Sequence, residues 1–145
     1  MSPQAASQML KVVGVISFVF SLLFIAGAFP PLSGGVAIFY DAIEPGAGAA
    51  GDYGTLIRLL SAVLGGIFAS WCVFLIMVVA PAVRDGDENI RRASIIAILT
   101  WFTLDSAGSV AAGFALNVVG NSIYLILLLT PLLLVRQEKS APVAA

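Results

Sequence analysis

Residues 55–83 read TLIRLLSAVLGGIFASWCVFLIMVVAPAV, a run whose one charge, Arg58, lies near its start. An α-helix rises about 1.5 Å per residue, so roughly 20 apolar residues cross the ~30 Å hydrocarbon core of a bilayer. This run exceeds that length. Only a helix satisfies every backbone N–H and C=O within one apolar segment, so the stretch predicts a transmembrane helix.

The rest of the chain repeats the pattern. Lys11 precedes an uncharged run within a span at about 9–29 that contains Phe18, Phe20 and Phe24. A third span covers about 90–112, opened by Arg91 and Arg92 and carrying one acid, Asp105. The fourth covers about 116–135. Composition agrees: the 145 residues are 60% hydrophobic and 10% charged, where a soluble domain is about 25% charged. Mean hydropathy is +1.05. The expected fold class is all-α membrane, a single-domain four transmembrane helix bundle over 1–145 with a long outer loop between helices one and two.

The links differ in character. Residues 30–54 are rich in Gly and Pro, hold Asp41, Glu44 and Asp52, and have no Lys or Arg; within them 36–43 (VAIFYDAI) suits a short interfacial helix. Residues 84–89 (RDGDEN) form a short charged turn. The link near 111–116 is so short that spans three and four must form a tight hairpin. With four spans, Lys11, Arg84, Arg91, Arg92, Arg136 and Lys139 share one side, and only Arg58 approaches the other. That bias puts both termini in the cytoplasm and the acidic loop outside. A rival reading takes the first span, ending in Ala26-Gly27-Ala28, as a cleavable signal peptide, but the run is long for that role.

What is missing narrows the chemistry. Net charge is −1, which leaves no basic excess for nucleic acid or anionic lipid. The chain has no histidine, so it lacks the usual tetrapyrrole ligand, most zinc ligand sets and the commonest general base. Cys72 is the lone cysteine, in apolar surroundings that disfavour a thiolate. There is no carboxylate dyad and no Ser–Lys pair in the membrane. Catalytic residues, metal ligands and cofactors are therefore all expected to be none.

Small residues recur four apart in span two (Ser61, Gly65, Ala69, with Ala62, Gly66 and Ser70 beside them) and in span three (Gly108, Ala112, with Ala107 and Ala111). They allow close helix approach, within the monomer or along a homo-oligomer seam. Trp71, near mid-span, reads as a packing residue. Pro131 should bend or end span four, with Thr130 or a neighbouring helix covering the freed backbone.

Polar groups inside the membrane concentrate in one place. Asp105, Trp101 and Ser109 share a helix face, Ser106 flanks them, and span four brings Asn117 and Asn121 with Ser122 and Tyr124 near. Arg58 lies at similar depth on span two. An unpaired charge there is costly, so an Arg58–Asp105 pair is expected, with an Asn in reach of one of them. The candidate site is thus Arg58, Asp105, Ser109, Asn117 and Asn121, either an interhelical hydrogen-bond knot or a small pocket for a headgroup, ion or solute.

Trp101-Phe102, Asp105-Ser106, Ser109, Gly113, Asn117, Asn121 and Pro131-Leu132-Leu133, within roughly 55–135 and with Arg58 and Gly65-Gly66, resemble small uncharacterised four-span bacterial inner-membrane proteins. The resemblance implies four helices and a bacterial cytoplasmic membrane, and brings no activity with it. Small multidrug transporters are of similar size but use an acid in their first span, and span one here has none. The sequence therefore predicts a non-enzymatic accessory, assembly or scaffolding subunit of a membrane complex. Its partners would be the lipid bilayer and other membrane subunits or further copies of itself, and no nucleic acid. The alternatives are a small oligomeric binding or transport protein with its site around Asp105, and a subunit of an electron-transfer or photosynthetic complex holding a pigment by hydrophobic contact.

Overall fold

The computed structural model describes residues 1–43 and 55–136. Glu44, Asp52 and Lys139, counted in the loop and topology expectations, lie outside the described residues. Five helices are present among the described residues, with no strand. They are α1 (Pro3–Gly27), α2 (Gly34–Ile43), α3 (Thr55–Arg84), α4 (Glu88–Ala111) and α5 (Leu116–Leu134). All but α2 are long and apolar enough to cross a membrane. Large apolar side chains point outward all round, among them Leu104 at 70% and Met77 at 69% exposure. A surface of this kind belongs in lipid.

Local chemistry sets the ends of the elements. α1 begins at Pro3, earlier than hydropathy alone places it, because the Ser2 hydroxyl accepts from Ala5 N–H and Pro suits the first helical position. Asp87 caps α4, accepting from the backbone N–H groups of Asn89 and Ile90 at 3.0 Å. In the turn before it Arg84 holds the Asp85 carboxyl below the usual carboxylate range. α4 ends in a Schellman motif, with Phe114 N–H bonded to Ser109 O, Gly113 N–H to Val110 O, and Gly113 at φ +87°. This turn makes α4 and α5 a tight hairpin.

α3 is one helix with a π-helical turn at Leu75–Val79, followed by Pro81. α5 runs through Pro131 to Leu134. Thr130 Oγ1 donates to Ile126 O, and the last carbonyls find donors elsewhere: Arg91 Nη1 reaches Leu132 O and Met1 N reaches Leu134 O. Arg136 N–H also bonds to Met1 O, so the two described ends meet at one end of the bundle, called here the terminal end.

α1 is the central helix. It packs along α3 and against α5, and α4 packs mainly on α5. The α1–α3 seam is close because Gly65 has no side chain: a Cβ there would sit 2.8 Å from Ile25 N and 3.0 Å from Ser21 O. The stripe containing Ser61 and Gly65 thus packs within the monomer, whereas Gly66 and Gly108 face open space. The aliphatic core lies in the terminal half, where Leu10, Leu75, Val79, Val83, Ile98, Leu128 and Leu132 are buried together. α3 meets α4 only near their connecting turn and scarcely beyond it.

Candidate functional site

The hairpin turn at Gly113 sets Asn117 and Asn121 of α5 opposite Asp105 and Ser109 of α4. Asp105 Oδ1 accepts from Asn117 Nδ2 at 3.0 Å, Asn121 Nδ2 at 3.0 Å and Ser109 Oγ at 3.2 Å. Asn117 Nδ2 also reaches Ser109 Oγ at 2.9 Å. Asn121 is buried and the others are half-buried. The site lies six residues from the last residue of α4, a depth of about 9 Å. Four of the five expected site residues are therefore together, in one network that joins two helices.

Arg58 is not among them. No ion pair or hydrogen bond links it to Asp105, whose described partners are all neutral. The expected pair assumed that consecutive antiparallel helices stay adjacent along their length. Here α3 follows α1 instead, and beyond the turn it leaves α4. Similar depth did not make the two residues neighbours. Arg58 has other interactions of its own.

Around the network stands a chain of rings that sequence reading did not assemble. Trp101 meets Tyr124 edge to face at 5.6 Å, Tyr124 meets Phe68 at 5.9 Å, and Phe68 meets Phe20 at 6.5 Å. Phe20 continues to Phe24 and to Phe39 of α2. Tyr40 Oη lies 2.5 Å from Ser61 Oγ, tying α2 to α3. The half of the bundle remote from the termini is therefore held by aromatic contacts rather than aliphatic ones. The spacing of Phe20 and Phe24, four apart, was the available signal, but their partners come from other helices. Beside this chain Ser106 Oγ is sealed from solvent with no hydrogen-bond partner among the described residues.

Trp71 stacks on Phe74 with ring centroids 5.7 Å apart and packs against the aliphatic core. Cys72 is buried and free. Among the described residues no group of His, Cys, Asp and Glu is placed to hold a metal ion. Two surface cavities lie away from the Asp105 network. One, of about 240 Å³, is at the terminal end and includes Arg84 and Arg136; the other, of about 210 Å³, lies between Trp71, Phe74 and the first turns of α4.

No protein-family model matches the chain, and neither a curated protein nor a solved structure matches it. Fold and site together define a multi-pass helical membrane protein with one polar joint in its membrane-spanning hairpin.

Proposed function

We propose that the protein is a non-enzymatic accessory, assembly or scaffolding subunit of a membrane complex in a bacterial cytoplasmic membrane. The observation that carries this reading is the packing of α4. Only 11% of its most apolar stretch is buried within the molecule, against 22–28% for the other three spans. A membrane helix associates through close backbone approach at small residues. α4 presents Gly108, with Ala107 and Ala111 exposed beside it, to open space, and Gly66 of α3 does the same. The Asp105 network supports the same reading: it is a hydrogen-bonded joint that ties α4 to α5.

The central place of α1 supports a retained first span, because without it α3 would lose its main packing partner. The proposed orientation keeps both termini in the cytoplasm, on the strength of the basic residues at the terminal end. Cysteines introduced within 30–43 should react with an impermeant thiol reagent added outside intact cells, and cysteines at Asp85–Asp87 should not. The reverse pattern would overturn the orientation. For the role itself, extraction from native membranes in a gentle detergent should yield a particle with a stoichiometric partner. A stable monomer with no companion would remove the reading.

A further inference from the structure

The Asp105 network is one-sided. All three donors converge on Oδ1. Among the described residues, none donates a hydrogen bond to Asp105 Oδ2, Asn117 Oδ1 or Asn121 Oδ1. Among the described residues, none of the three is a side-chain atom sealed from solvent without a partner. Turning either amide over would set its carbonyl oxygen against the carboxylate, so the network itself fixes their orientation. What remains accessible at about 9 Å depth is a set of oxygens that only accept, one of them anionic.

A carboxylate in a low-dielectric setting whose second oxygen accepts nothing gains from a cation placed there. Among the described residues none supplies one: Arg58 is not linked to Asp105 and has interactions of its own, and Lys11, Arg84, Arg91, Arg92 and Arg136 lie in the terminal half. A bare inorganic cation would have to exchange its water for a cage of roughly six oxygens, and among the described residues no group of three or more His, Cys, Asp or Glu is placed to hold one. A side-chain ammonium or guanidinium suits the face better, because it carries several donors and no acceptor. On a neighbouring helix it is already held at membrane depth. Among the described residues a second copy of this chain would bring Arg58 alone to this level, and Arg58 has interactions of its own.

We infer that this face of the α4–α5 hairpin docks a transmembrane helix of a different protein through a Lys or Arg on that helix, seated on Asp105 Oδ2 and the amide oxygens of Asn117 and Asn121. The inference rests on the accessory-subunit reading and names what the partner must carry.

The test places a photo-crosslinking phenylalanine analogue at Gly108, which faces open space one turn from Asp105, and irradiates native membranes. Sequencing of the product should give a peptide of another protein, from an apolar segment that contains Lys or Arg. Asp105→Asn keeps an acceptor for the amide donors and removes the charge, and should lower the yield at least about tenfold, on the scale of one lost charged contact. Asp105→Glu should restore it. Circular dichroism and gel filtration check that each variant folds. A yield unchanged in Asp105→Asn, a product from a second copy, or a product with lipid alone would overturn the inference. If a partner co-purifies but its crosslink ignores Asp105, the accessory role survives and the charged contact does not. If nothing co-purifies, both fall.

Discussion

α4 carries a carboxylate near each end, and the two are handled in opposite ways. Glu88, at the terminal end, is held by cations of its own helix: Arg91 Nη2 and Arg92 Nε both lie 2.7 Å from Oε1, and Arg91 Nε lies 2.8 Å from Oε2. These are i,i+3 and i,i+4 partners on one helix surface, at the water-facing rim. Asp105, in the other half, has no cation among the described residues and is held by neutral donors, two of them from α5. The difference teaches where a membrane protein places charge. At the rim both ions keep some hydration, and the pair serves to order the helix end. Inside the apolar layer the carboxylate is met by amides, which carry no charge of their own to desolvate.

That contrast can be broken most directly at Asp105. Asp105→Ala strands the amide donors of Asn117 and Asn121 together, and should destabilise the protein on the order of 2–4 kcal/mol in mixed-micelle unfolding. Asp105→Asn, which keeps an acceptor in place, should cost only about 1 kcal/mol. Equal losses for the two variants would mean that the charge, rather than the acceptor, holds the joint.

A smaller effect is expected at the other carboxylate. Glu88→Gln leaves both arginines in contact with water and the Arg91 bond to Leu132 O in place. Its loss should be at most about half that of Asp105→Ala, and salt should shrink it, because exposed pairs are screened. A loss as large as that of Asp105→Ala, or one indifferent to salt, would show that the terminal end depends on its ion pairs as much as the remote end depends on its amides.

The smallest effect expected is the coupling between Arg58 and Asp105. In a cycle of Arg58→Gln, Asp105→Asn and the double variant, the two changes should add to within about 0.5 kcal/mol, as for sites with no shared partner. Strong coupling would revive the pair that sequence depth suggested and dissolve the contrast between a cation-held and an amide-held carboxylate.

Part of the site was legible because it is local. Asp105 and Ser109 are one turn apart, Asn117 and Asn121 are one turn apart, and the short link around Gly113 leaves the two helices little choice but to face each other. Arg58 was misassigned because its depth follows from counting residues, whereas its neighbours depend on how helices are arranged around one another. The aromatic chain from Trp101 through Tyr124 and Phe68 to Phe20 escaped for the same reason, since its members come from four helices.

The sequence by itself determined that this chain is helical, belongs in a bilayer and has four segments long enough to cross it. Transfer from water to lipid acts on each segment separately, and about 20 apolar residues suffice whatever the neighbours are. Only the tertiary structure decided that α1 stands at the centre, that α3 leaves α4 beyond their turn, and that Asp105 meets two amides instead of an arginine. Lipid solvates every apolar face of a helix about equally, so the hydrophobic pattern does not say which face meets which helix. That choice falls to close packing, as where Ile25 and Ser21 meet Gly65, and to the few polar groups that must find one another.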